Sequence, residues 1–297
     1  MSLQNLKTFD IVGVKEEISD FISMISPSDT PFLSSIGTES IKNTLYQWQE
    51  DQLRAVAKNT KLQGADAVDT TRDQPTMRSN GTQIIGETFK VAGTTDAIDV
   101  YGRDKISARE MMKTGKLVKM DLELSLVGTG QTYVAAAEAV AGEFAGVQAQ
   151  IHANTTTTLG TAGPITEAHV VNLHEKLYNA GSDGSILMVK PSDTKIISSW
   201  QLASGRTQYV NNGDNKITNV INVYEGPFGT VRVVKNRRQR TQDALIYDPK
   251  NWKLAVLRNW FTEKLAKVGD ADRWMMVGEF GLKHANRQAS ALLTNLT

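Results

Sequence analysis

Apolar positions recur at helical spacing through residues 10–25, where Val14, Ile18, Phe21, Ile22 and Ile25 predict a short amphipathic helix. The next stretch, SPSDTPFLSSIG (residues 26–37), breaks that rhythm with two prolines and four serines. Proline biases Ser26 and Thr30 toward extended geometry, and Asp29 and the serines compete for backbone hydrogen bonds. The stretch therefore reads as an arm. Its apolar residues Phe32, Leu33 and Ile36 need an apolar surface elsewhere, in the same subunit or in a neighbour.

From about residue 44 to residue 100 the texture changes to strand-like runs, LYQWQEDQL and TQIIGETFKV, separated by the polar tract LQGADAVDTTRDQPTMRSNG. Gly64, Pro75 and Asn80-Gly81 punctuate the distal part, which carries few large apolar residues. The spacing predicts a long hairpin-like excursion that projects from its own subunit. Helical periodicity returns in ISAREMMKTGKLVKMDLELSLVG, residues 106–128, with Met111, Val118, Leu122 and Leu126 on one stripe. Ser107 followed by Glu110 has the capping-box pattern. A rod of roughly 20 residues at ~1.5 Å rise is about 30 Å long, and Gly115 costs it ~1 kcal/mol against alanine.

The Ala/Gly-rich TYVAAAEAVAGEFAGVQAQ then predicts a small helix, and HANTTTTLGTAG a connecting loop. Thr166 caps a predicted helix bearing Val170, Leu173, Leu177 and Tyr178 and ending at Gly181. SILMVK predicts a buried strand and SDTKIISSWQLA another helix; TNVINVYEG, FGTVRVV, DALIYDP and WKLAVLR follow as strands. Helices and strands in this order give an α+β fold, with one module inserted between the long helix and the C-terminal tract. No repeat of fixed period is present.

Composition adds limits. The 297 residues allow one large domain or two ordinary ones, and 40% hydrophobic with 22% charged residues is ordinary for a globular chain. A net charge of +1 supplies no global pull toward nucleic acid or anionic membrane. The absence of cysteine excludes disulfides and thiolate metal sites. Asp10, Glu16 and Glu17 interrupt the N-terminal region before any apolar run of signal length. The longest stretch free of charged residues, 144–166, is too rich in Thr, Gln, Asn and Gly to suit a membrane.

Catalytic chemistry finds little support. There is no G-x-S-x-G elbow, and Gly128-Thr129-Gly130 lacks the rest of a phosphate loop. His169 and His174 are about 140° apart on a helix and do not share a zinc-binding face. With His152 and His284 they read as surface or partly buried residues. The neighbouring acids Glu16-Glu17 and Glu50-Asp51 read as solvated. Trp48, Trp200, Trp252, Trp260 and Trp274 read as packing residues, with interface anchoring as the alternative. The run KNRRQR, residues 235–240, places Lys235, Arg237, Arg238 and Arg240 within six positions. It is a candidate weak nucleic-acid contact or an intersubunit basic loop, without the interleaved aromatics of a single-strand platform.

An arm, a projecting hairpin, a long rod and an inserted α+β module, in that order, are similar to the major capsid (major head) protein of tailed bacteriophages, the Hong Kong 97 type of shell fold. DTPFLSSIG, YQWQEDQL, NGTQIIGETFKVAGTTDAIDVYG, FAGVQAQIHAN and above all EKLAKVGDADRWMMVGEFGLKHANRQASALLTNL carry the resemblance, which spans the whole chain. It implies an N-terminal arm over 1–44, an extended loop over 45–91 and a peripheral domain with spine helix and connector over 92–165. An axial domain over 166–248 follows, and 249–297 returns to the peripheral domain.

The function implied is structural, with no catalytic residue, cofactor or metal. Subunits would form hexamers and pentamers of an icosahedral head around double-stranded DNA, held by weak non-specific contacts, within a virion assembled in the bacterial host cytoplasm. Implied partners are further copies of itself, a separate scaffold protein, a portal protein and a decoration protein, with no membrane. Phe32, Leu33, Ile36, Arg72 and Arg78 become candidate intersubunit contacts. Lys58 and Lys61 lie near the extended loop, but no covalent cross-link is expected. The alternatives are a nanocompartment shell of the same fold, a hydrolase with a site scattered over loops, and a nucleic-acid-binding module centred on Arg237, Arg238 and Arg240.

Overall fold

Two runs with no polar interruption, ILMV and ALIY, become the adjacent central strands Ile186–Val189 and Ala244–Tyr247 of a six-stranded sheet, each of the two buried on both faces, as the computed structural model shows. The structure describes residues 28–64, 66–67, 69, 72, 74–98, 105–203 and 223–297, without the side chains of 201–203. The helix expected over residues 10–25 lies outside these.

In chain order the elements are α1 (Pro31–Ser35), β1 (Gly37–Ser40), β2 (Leu45–Glu50), β3 (Thr76–Gly81), β4 (Gln83–Ala92), α2 (Gly93–Ala97) and α3 (Ile106–Glu123). There follow α4 (Val147–Gln150), β5 (Thr156–Gly163), α5 (Glu167–Asn179), β6 (Ile186–Val189) and α6 (Pro191–Ala203). The chain closes with β7 (Val223–Gly226), β8 (Gly229–Lys235), β9 (Ala244–Tyr247), β10 (Trp252–Leu265), β11 (Ala271–His284) and β12 (Ser290–Leu296).

Strands β10 and β11 form a long antiparallel hairpin, flanked by β1 parallel to β10 and β4 antiparallel to β11. Helix α3 lies on this sheet, and at Gly115 an added Cβ would make only an ordinary van der Waals contact, 3.7 Å from Met276. Val118, Leu122 and Leu126 are buried as their spacing predicts, while Met111 is half-buried. The other large sheet runs β5-β12-β9-β6-β8-β7. Its side chains alternate between two cores. Ile186, Met188, Leu245, Tyr247 and Leu292 face α3 and the long-strand sheet, while Leu187, Val189, Ile246, Ala291 and Leu293 face α5 and α6. The sheet is a wall shared by both halves.

Several expectations are corrected. Ser107 makes no capping box: Lys105 is the N-cap, and Ser107 donates through its N–H and its hydroxyl to Asp96, both at 3.0 Å. Glu110 pairs instead with Lys113. A carboxylate supplied by α2 has taken the role. The Ala/Gly-rich segment turns back on itself through bridges Val134–Glu143 and Ala137–Val140 and is helical only in α4. The Thr-rich connector is β5, an edge strand parallel to β12. Strands β5 and β12 both lie outside 166–248 yet belong to the same sheet as β6 to β9, so 249–297 does not return wholly to the long-strand half. Thr166 does cap α5, accepting from His169 N, but Tyr178 is 60% exposed, off the buried face formed by Val170, Leu173, His174 and Leu177, with its ring 5.8 Å from that of Phe228.

Candidate assembly surfaces

Helix α1 begins with proline, leaving the first N–H groups of the helix free to point at an acceptor. Glu123, at the end of α3, is that acceptor: Oε1 takes Phe32 N at 2.9 Å and Oε2 takes Leu33 N at 2.8 Å. Asn236 Nδ2 donates to the same carboxylate at 2.6 Å. Burial pushes the Glu123 carboxyl above its ordinary value, opposed by these hydrogen bonds and by the charge of Arg238. Phe32 is wholly buried between Tyr247 and Trp252, with ring centroids 5.3 and 5.8 Å away. Burying such a side chain is worth about 1.5–3 kcal/mol.

This corrects the expectation that the arm's apolar residues anchor on a neighbour. Phe32 and Ile36 close their own subunit's core, and only Leu33, half-buried, retains surface to offer another chain. The surface they needed is supplied by strands far along the sequence.

The extended loop is pinned at its base. Strands β2 and β3 pair from Leu45–Gly81 to Glu50–Thr76. Tyr46 donates its hydroxyl to Leu282 O at 2.8 Å, and Asn80, with no exposure, donates to Leu282 O and Ala145 O while accepting from Ala145 N. Gly281 must lack a side chain here, because a Cβ would lie 2.5 Å from the Tyr46 hydroxyl and 2.7 Å from Gly81 O. Arg78 is committed within the ribbon, its Nε 2.7 Å from Glu50, which also accepts Arg287 N at 2.7 Å. Asn80-Gly81, expected in the distal part, is therefore part of the anchor.

Beyond the ribbon, no described residue from 51 to 75 is helical or in a strand. Leu53, Val56 and Leu62 are 97%, 101% and 84% exposed, and Lys58, Lys61 and Arg72 are also exposed. Three large apolar side chains standing in water on a pinned stalk are unusual for a monomer's surface.

The basic run divides by direction. Asn236 and Gln239 point inward and are buried; Lys235, Arg237 and Arg240 are exposed. Arg238 reaches the arm, donating to Asp29 O at 3.1 Å and contacting Met120 Sδ. Arg240 stands 3.6 Å from buried Asp243. Below them α3 ends in a π-helical turn, Leu124–Gly128, whose Val127 O accepts both Gln148 Nε2 and Arg240 N. Arm, long helix and basic loop thus meet at one polar node.

A family model for the SU10 major capsid protein matches residues 3–297. The chain belongs to the SU10 major capsid protein family. It is a structural capsid protein of a phage, one that self-associates. The major capsid protein of Escherichia phage Phieco32 is 28% identical over an alignment covering 96% of this chain and 95% of that protein. In fold the chain is similar to the capsid of a native GTA particle, with a TM-score of 0.67 at 12% identity and 96% of each chain covered. It is also similar to the SrpI encapsulin of Synechococcus elongatus, with a TM-score of 0.58 at 10% identity, covering 93% of this chain and 92% of that one. The Hong Kong 97 type of shell fold expected from the motifs is the fold observed.

Four further titratable groups of this capsid protein are buried. His284 is wholly buried, stacked on Trp252 at 3.8 Å with Ser290 bridging the two, and burial pushes it down to about 3. His174 is lowered by burial too, so two of the four histidines are deeper than expected. Asp193 and Asp243 are raised by burial, beside Lys190 and Arg240. None of these four groups lines the clefts beside α6, beside β8 or beneath Tyr133. The tryptophans pack as expected: Trp48 on Tyr46, Trp200 on Tyr224, Trp260 on Phe280 and Trp274 beside Lys264. Sequence reasoning missed Glu123. Its signal was a carboxylate three residues before Leu126, on the apolar stripe.

Proposed function

We propose that this capsid protein closes into hexamers and pentamers of an icosahedral phage head around double-stranded DNA, with the extended loop of each subunit laid over its neighbour. The observation that carries the reading is a ribbon pinned at its base while Leu53, Val56 and Leu62 stand exposed beyond it. Each loop covers a surface different from its own, and such heterologous contacts close into rings. Arg72 and the exposed part of Leu33 are further contacts in this reading. A separate scaffold protein and a portal protein are the expected helpers, a decoration protein is a further candidate, and assembly takes place in the host cytoplasm.

Electron microscopy and sedimentation of the purified protein, alone and co-expressed with its scaffold, test the proposal. Closed shells or rings of five and six are the expected result. A monomer or dimer under every condition would overturn it. A gene for a portal or terminase beside this one would separate a phage head from a nanocompartment. The shells are expected to be non-covalent, although Lys58 and Lys61 are exposed on the loop. Mature particles boiled in detergent should run as a single band near 32.6 kDa on a denaturing gel, and a ladder of multiples would refute this.

A further inference from the structure

The face where α1 meets β8 and the first turns of α6 carries a continuous groove. Its two parts, about 530 and 600 Å³, share Pro31 and Lys235 in their walls. One is lined by Lys195, Lys235 and Arg237, the other by Arg232 and Lys235; Asp29 is the one carboxylate in either wall. All four cations are exposed, and none is in an ion pair with a carboxylate among the described residues. Four unneutralised cations against one acid are a marked local excess on a chain whose net charge is +1. They come from three separate elements: Lys195 from α6, Arg232 and Lys235 from β8, and Arg237 from the loop after it. The other two arginines of the basic run do not belong to the set, since Arg238 is held on the arm and Arg240 stands beside Asp243.

The lining also decides the kind of anion. Thr194, Ser198, Ser34 and Ser35 complete the lining. The three serine hydroxyls already donate to Thr194 O, Thr30 O and Phe32 O and the Thr194 hydroxyl is buried, so the cations are the groups left to meet an anion. No aromatic side chain lines either part. A groove of free cations without stacking surfaces suits the outside of a duplex, where phosphate contacts position the partner and bases are not read. An acidic peptide would gain from apolar anchoring pockets, and this wall offers only prolines and the partly covered Val233 and Val234.

We propose that this groove holds the phosphate backbone of double-stranded DNA, so that the face bearing α1, β8 and α6 lines the inside of the shell. The proposal rests on the capsid reading and adds which residues touch the genome. Each phosphate neutralised contributes about −0.9 to the slope of log affinity against log salt. Four contacts therefore give a slope of roughly −3 to −4.

The test is fluorescence anisotropy of a short labelled duplex titrated with the full-length subunit between about 50 and 200 mM salt. The variant Lys195→Gln/Arg232→Gln/Lys235→Gln/Arg237→Gln is compared with a charge-matched control, Lys90→Gln/Lys116→Gln/Lys119→Gln/Lys250→Gln, whose positions are exposed elsewhere. The double variant Lys235→Gln/Arg237→Gln serves should the quadruple one fail to fold. The groove variant is expected to lose at least roughly tenfold in affinity at low salt and most of the slope, the double variant about half of it, and the control much less. Wild-type protein that does not bind the duplex, a control that loses as much as the groove variant, or tighter binding of a polyglutamate peptide than of DNA would overturn the proposal. Shell formation scored in parallel separates the two readings: shells without duplex binding defeat the groove alone, and no shells from any protein defeats the capsid reading beneath it.

Discussion

Replacing Leu53, Val56 and Leu62 together by serine is expected to leave the subunit folded and to abolish shells. In the isolated subunit these side chains are 97%, 101% and 84% exposed, so they contribute almost nothing to its stability. Surface changes of this kind fall within about 0.5 kcal/mol each. In a shell the same side chains would be covered, and each is then worth about 1.5–3 kcal/mol. The ribbon beneath them is fixed by Tyr46, Asn80 and the Glu50–Arg78 pair, none of which the substitutions touch. A loss of several kcal/mol per loop raises the concentration needed for association by about tenfold for every 1.4 kcal/mol, and it recurs at every subunit. Sedimentation and electron microscopy should find monomers or small rings where wild type gives shells, with a thermal unfolding midpoint unchanged to within a few degrees. Wild-type yields of shells from the triple variant would show that the loop tip holds nothing.

The parts of this fold legible in sequence are those whose burial is local and one-sided or complete. ILMV and ALIY announce strands covered on both faces, and the stripe Val118, Leu122, Leu126 announces the inner face of α3. Strand β5 escapes because it is an edge: its threonines suit a strand, yet it is largely exposed and its partner, starting at Leu292, lies at the far end of the chain. Asn80-Gly81 carries a turn signal in sequence, but the amide of Asn80 is taken by Leu282 and Ala145, so the pair is buried within a strand. The run KNRRQR hides its own direction, since Asn236 and Gln239, three apart, face inward and split the charges into an engaged set and a free one. The motif that best carries the family resemblance, GEFGLKHANRQAS, is one in which position after position is sterically or chemically committed. A Cβ on Gly278 would stand 2.4 Å from the Phe280 ring, Gly281 lies against Tyr46, and His284, Ser290 and Trp252 form one buried stack. Such a string is recognisable as a pattern long before its reasons are.

Glu123→Ala should be the most destabilising single change at the arm node. It strips acceptors from Phe32 N, Leu33 N and Asn236 Nδ2 in a place that water does not reach, and opening a buried polar network of this kind costs about 3–5 kcal/mol. At roughly 2–4 °C per kcal/mol the unfolding midpoint should fall by on the order of 10 °C. The arm should then loosen from Tyr247 and Trp252, which early proteolysis near Phe32 would reveal. Glu123→Gln keeps one acceptor and places a donor against another donor, so it should fall between the two. The pH dependence separates burial from hydrogen bonding. Burial holds the native Glu123 carboxyl protonated to a higher pH than in the unfolded chain, so within that window the native state binds more protons and stability falls as pH rises. Above the raised native value the contribution is flat. The advantage of wild type over Glu123→Gln, measured as the difference in midpoint, should therefore shrink as pH rises from just below the ordinary carboxylate range and then level off. An advantage that grew over the same range would mean that the three donors and Arg238 outweigh burial, and that the arm is clamped by a charge.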